Sequence, residues 1–291
     1  MVDLELSWQA AAVTAGCLGG GAVACRRARQ PRLRSTAGFA QEAAVLLGLF
    51  ALWQLAGSYA VMGPDGALAR AQWIWHTERV LHMPTESGVQ RVFLSHPLIV
   101  QALNLYYAGL HFAVVIGCLI WVFIWHRRNY PQVRTTLVLF TASALLIQLV
   151  PVAPPRMLPG DGMIDTAVRY GQSVYGSVAG FNADQLSAMP SVHVGWALLV
   201  ALVVVHVSGS RWRWLAFGYP ALTLLAVVVT ANHFWLDGVV AALLLALALV
   251  VQRAGRITRH WLRTRRRAGA RQRVASSPGG PPSPRVPAAR P

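Results

Sequence analysis

Long apolar runs separated by polar connections fill most of this chain. A helix that crosses a bilayer needs about 20 mostly apolar residues. Seven stretches approach that length: Ser7 to Cys25, Glu42 to Met62, Pro97 to Trp125, Val133 to Val152, Ser191 to Val207, Trp212 to Thr230 and Phe234 to Val251. The first is short and rich in glycine and alanine. No basic segment precedes it, and Arg26, Arg27 and Arg29 follow it, so it reads as an anchor helix starting outside rather than as a signal peptide. Between Gly63 and His96, Leu68, Ala71, Trp75, Val80 and Leu81 recur at near-helical spacing, which predicts a helix lying in the interface. The connection from Pro154 to Pro190 is rich in Gly, Asp, Ser and Asn and is expected to be a water-facing loop. Beyond Trp261 the chain turns into a basic Pro/Gly/Ser tail that cannot bury a core and is expected to be disordered. The pattern predicts an all-α, polytopic membrane helix bundle of seven transmembrane helices, the first an N-terminal anchor.

Composition agrees: 55% of the residues are hydrophobic and only 12% are charged, too few for a soluble chain of 291 residues. Twenty-six basic residues against ten acidic ones raise the question of nucleic acid. All of the basic residues are arginines lying between or after the apolar runs, a pattern that sets membrane orientation, so no nucleic-acid partner is expected. Placing 26–34 in the cytoplasm makes every second connection cytoplasmic, and these regions then hold 21 of the 26 arginines, while the acidic residues concentrate on the outer side. The tail is then cytoplasmic, close to anionic headgroups. The arginine- and alanine-rich, lysine-free composition suggests a bacterial plasma membrane. Cys17, Cys25 and Cys118 form no metal-binding or disulfide pattern.

With this topology, two histidines far apart in sequence return to one outer interface. In AMPSVHVGW, Pro190 and Ser191 read as a helix start whose backbone N–H groups and positive dipole end suit an anion, and His193 sits in the first turn. A simple N-cap with an interfacial histidine is the competing reading. In ANHFWLD, His233 and Asp237 are four residues apart, one turn deep on one helix face. A carboxylate there fixes the imidazole tautomer and frees the other ring nitrogen as a nucleophile or base; a structural His/Asp hydrogen bond is the alternative. Ionisable groups are costly inside a membrane helix, which favours function. Arg156 in PVAPPRM adds a cation. Together these supply nucleophile, orienting carboxylate, general acid and anion clamp for phosphoryl transfer. Glu78, Arg79, Asn104, Tyr106, Tyr107 and His111 are further outer-face polar groups, read either as a headgroup pocket or as hydrogen bonds between helices.

MPSVHVGW, followed forty residues later by ANHFWLD, resembles the second and third signature motifs of the type 2 phosphatidic acid phosphatase (PAP2) superfamily, and PPR resembles the end of its first. Val192 between the serine and histidine, IWHTERVLHMPTE and NLYYAGLHF resemble the branch that contains inositol phosphorylceramide synthase. The resemblance spans about Ala67 to Val251 and implies a six-helix catalytic core at 35–252, between an anchor helix with its basic loop at 1–34 and the tail at 253–291. It also implies that His233 attacks phosphorus to form a phosphohistidine, with Asp237 orienting it. His193 then protonates the departing oxygen and activates the acceptor, while Ser191 and Arg156 hold phosphoryl oxygens. No cofactor and no metal are implied. The superfamily's first motif carries a lysine, absent here, and its third an arginine where this chain has Val227. Arg169 in the outer loop is the candidate substitute. The expected partners are the membrane, a lipid phosphate of phospholipid or polyprenyl-phosphate type, and an alcohol acceptor such as inositol if the enzyme transfers rather than hydrolyses. Two other classes compete: a proton-coupled transporter, which needs ionisable residues at several depths, and a non-catalytic membrane subunit.

Overall fold

The computed structural model describes residues 8–27, 31–58, 66–172 and 184–275; the ends of two expected spans, part of the outer loop and the last sixteen residues of the tail lie outside the described residues. The chain forms helices α1 (Trp8–Arg27), α2 (Pro31–Ser58), α3 (Ala67–Val80), α4 (Glu86–Leu94), α5 (Pro97–Leu105), α6 (His111–Trp125), α7 (Tyr130–Gln148), α8 (Thr166–Arg169), α9 (Val192–Val207), α10 (Gly218–Val229) and α11 (Trp235–Ala275). No strand occurs among the described residues; one isolated parallel bridge joins Val152 to Ser187. The described residues up to 248 form one compact unit and those from 249 to 275 a second.

Among the described residues, three segments are long and apolar enough to cross a membrane: Pro97–Trp125, Arg211–Val229 and Trp235–Thr258. Helix α9 is equally apolar but shorter. The remaining expected spans correspond to α1, α2 and α7, whose sequences are less continuously apolar. Along α6, Val115, Leu119 and Val122 are buried while Ile116, Ile120 and Ile124 are exposed. A helix apolar on its buried and exposed faces alike is built for lipid rather than water. Helix α11 repeats this arrangement, with Ala241 and Leu245 inward and Leu243 and Leu247 outward.

The main core packs Leu119 and Val122 of α6, Leu137 and Phe140 of α7, Leu199 and Val203 of α9, and Ala241 and Leu245 of α11. Close approach of α9 to α7 depends on Gly195, where an added Cβ would meet the Phe140 ring. A second cluster joins Ala67, Ala71 and Ile74 of α3 to Val152, Ala153, Ala188 and Phe234. It seats the interfacial helix expected between Gly63 and His96 against the loops that carry the polar residues described below. The second unit continues α11 as helix through Ala275, where arginine and alanine, both good helix formers, predominate before the turn residues that follow in the sequence.

Candidate active site

Helix α10 ends in a tight reversal. Ala231 adopts a left-handed backbone (φ 58°), and the N–H groups of Asn232 and His233 both donate to the Val227 carbonyl, at 2.9 and 3.2 Å. A side chain at such a φ costs about 1 kcal/mol or more, so packing elsewhere holds it. His233 therefore stands in the turn before α11 rather than one turn inside a helix, which is where the spacing alone places it. The first donors of α11 are capped from two sides: Asp237 Oδ2 accepts from Phe234 N at 2.8 Å, and Glu78 Oε1 of α3 accepts from Leu236 N at 2.7 Å. Buried helix ends need such partners.

The His233 ring is almost wholly buried. Its Nδ1 lies 2.6 Å from the Ala188 carbonyl and 3.3 Å from Asp237 Oδ2. Both neighbours are acceptors, so Nδ1 carries the proton and Nε2 keeps its lone pair. The closer partner is thus a backbone carbonyl of the loop ahead of α9, with the carboxylate second. Ser191 N donates to the Asp237 carbonyl at 3.2 Å, tying the start of α9 to the start of α11.

Ser191 is the N-cap of α9; it is buried, and its Oγ accepts from Val194 N at 3.4 Å. The N–H groups of Val192 and His193 lie at the positive end of this helix, before its first internal acceptor is used by Gly195. The ring of His193 lies 6.0 Å from that of His233, centroid to centroid. Forty residues of sequence separate the two imidazoles, and the fold makes their rings near neighbours.

Arg156 enters from the loop after α7. Its N–H donates to the Ala231 carbonyl at 3.2 Å, its Nη1 to Asn232 Oδ1, and its Nε lies 3.2 Å from Asp165 Oδ2. The guanidinium is held beside the residue that precedes His233. Asp165 is fixed in turn as the N-cap of α8, accepting from Val168 N at 3.0 Å. The loop itself is pinned by Gln90, which donates to the carbonyls of Ile164 and Val229 and accepts from Ile164 N. Val227, where the resemblance calls for an arginine, is buried and contributes its carbonyl to the turn instead.

The structure thus brings together His193, His233, Asp237, Ser191 and Arg156. Arg169 is not among them: it is exposed at the end of α8, its guanidinium 5.8 Å from the Tyr170 ring centroid. Asn232, Asp165 and the Ala188 carbonyl join the site without having been singled out in the sequence. Asn232, adjacent to His233, carried the only available signal; a backbone carbonyl carries none.

Behind the α11 start lies a buried acidic group. Glu78 and Glu86 are both fully buried, and Arg79 Nη2 lies 3.7 Å from Glu78 and 3.3 Å from Glu86. Burial pushes the Glu78 carboxyl well above the usual glutamate range, and the neighbouring Glu86 carboxyl pushes it the same way. Burial also raises Asp161, which accepts from Trp75 Nε1 at 2.9 Å. Glu78 is therefore a neutral, hydrogen-bonded support for α11.

A family model described as the PAP2 superfamily matches residues 72–251. No curated protein and no solved structure matches the chain.

Proposed function

Because this chain belongs to the PAP2 superfamily, we propose that it is an integral membrane lipid phosphatase or phosphotransferase working through a phosphohistidine. The observation that carries this reading is the 6.0 Å separation of the His193 and His233 rings beside the Arg156 guanidinium and the α9 N-terminus. In the first step His233 Nε2 forms a bond to phosphorus, the bond from phosphorus to the departing oxygen breaks, and that oxygen takes a proton from His193. In the second step water or an alcohol gives its proton to His193 and attacks phosphorus, and the bond to His233 breaks. The His193 proton is thereby restored. Charge on the phosphoryl oxygens is met by Arg156, the Ser191 hydroxyl and the α9 N–H groups, an arrangement fixed before substrate arrives.

The substrate in this reading is a phospholipid or polyprenyl phosphate reached from the extracytoplasmic face of a bacterial plasma membrane, consistent with the arginine asymmetry and the apolar exterior. The likeness of IWHTERVLHMPTE and NLYYAGLHF to the inositol phosphorylceramide synthase branch supports transfer to an alcohol such as inositol over hydrolysis. The test is direct. Purified protein given labelled phosphatidic acid or polyprenyl diphosphate should trap an acid-labile phosphohistidine on the peptide containing His233, and His233→Ala should reduce label and turnover to background. Full activity in that variant refutes the assignment.

A further inference from the structure

One buried histidine has no part in the chemistry above, yet lies against it. His111 opens α6 and is wholly inaccessible. A single π-helical turn, Tyr106–Leu110, precedes it; such a turn shifts the register of the following residues and is often found at functional sites. Here it turns Tyr107 and His111 together onto His193. The Tyr107 ring stacks on His193 at 4.3 Å, and the His111 ring lies 5.0 Å from it. Phe112 closes a third side at 5.3 Å.

The far side of His111 is fixed. Its Nδ1 lies 2.8 Å from the Tyr219 hydroxyl, which also donates to the His111 carbonyl at 3.2 Å. The Tyr219 backbone carbonyl accepts from Thr223 Oγ1 at 2.9 Å, and Thr223 Oγ1 in turn is 2.6 Å from the Tyr106 hydroxyl. The hydroxyl thus meets both the ring and the backbone of His111, fixing the ring through Nδ1 and leaving Nε2 on its opposite edge. That Nε2 is buried without a hydrogen-bond partner, and so is Nε2 of the adjoining His193. Each is a buried polar edge at the site, and a buried unpaired polar group costs about 1–3 kcal/mol, so the side chains around them must fix both rings by packing.

The geometry points to His111 as the positioning residue of His193: its ring, locked from behind by Tyr219, packs against the His193 ring and sets which of its nitrogens faces the departing oxygen. Each imidazole of the pair then has its own backing, Ala188 and Asp237 behind His233, and His111 with Tyr219 behind His193. This backing holds no carboxylate, so it orients the ring without a fixed negative charge to retain the His193 proton in the first step. This inference rests on the proposed role of His193 as the acid.

Leaving-group dependence tests it. An alkoxide leaves phosphorus only with a proton, whereas nitrophenolate leaves without one, so loss of an oriented acid slows the first substrate selectively. The purified full-length protein is mixed rapidly with phosphatidic acid or with p-nitrophenyl phosphate, and the rate of the first turnover is read. His111→Ala is expected to slow phosphatidic acid about tenfold or more, a fraction of the usual 10²–10⁴-fold worth of acid catalysis, with less than about twofold change for the aryl ester. His111→Gln, which restores a polar side chain of similar bulk beside the His193 ring, should recover part of the loss. Tyr219→Phe should show the same selectivity more weakly, and adding His111→Ala to His193→Ala should cost nothing further. If the variants that fold lose both substrates equally, or lose neither, His111 is a packing residue and the inference is wrong. A wild-type protein that releases neither alcohol nor nitrophenolate overturns the proposed function itself, and this inference with it.

Discussion

Gly195 offers the sharpest test of how the helices position the site. A Cβ built on it falls against the edge of the Phe140 ring, 2.6 Å from both Cε1 and Cε2 and nearer still to Cζ. Carbon atoms rest at about 3.5–4.0 Å, so the ring must retreat by about 1.5–2 Å. Phe140 is wholly buried among residues of α6, α9 and α11 and has little room to do so. Gly195→Ala is therefore expected to destabilise the fold by about 1–3 kcal/mol, the usual cost of overpacking, despite the better helix propensity of alanine. If α9 moves instead of the ring, His193, two residues earlier, is displaced, and about 1 Å at a catalytic group can cost about 10²-fold in rate. Thermal unfolding in detergent, with turnover on the same preparations, reads both effects. Phe140→Leu should rescue Gly195→Ala, giving a favourable coupling of about 0.5–3 kcal/mol in the double-mutant cycle. A Gly195→Ala protein as stable and active as wild type, or strictly additive mutants, refutes the packing argument.

Two further outcomes follow from the site. Glu78 is protonated in the folded protein but ionised in the unfolded chain once pH exceeds about 4.5, so its contribution is complete below that value and is lost as pH rises toward its elevated folded value. The unfolding temperature should accordingly fall as pH is raised from 5 to 9, and Glu78→Gln, which keeps a carbonyl oxygen for Leu236 N, should flatten that slope; an unchanged slope refutes a neutral Glu78. Arg156→Gln should lower kcat by about 10²-fold and also lower the unfolding temperature, since it leaves Asp165 without its ion pair, and Arg156→Lys should recover only part, because one ammonium cannot meet Asn232, Asp165 and a phosphoryl oxygen in the fork geometry of a guanidinium; full activity in Arg156→Gln removes it from the anion clamp.

The sequence by itself determined the class of the molecule and its chemical vocabulary. Apolar runs of helical length, arginine placement and the two motifs around His193 and His233 are local or compositional signals, readable because hydrophobicity and motif spacing survive without coordinates. Family membership follows from them and agrees with the match over residues 72–251. How the imidazoles are held is a different matter. The left-handed Ala231, the Ala188 carbonyl on His233, the Glu78 cap on α11 and the placement of Arg169 away from the pair all depend on backbone paths between distant segments. The π-helical turn that aims Tyr107 and His111 at His193 shows why. One extra residue in a helical turn rotates everything beyond it, and that rotation is selected by the helices packed around it, so no periodicity in the chain announces it.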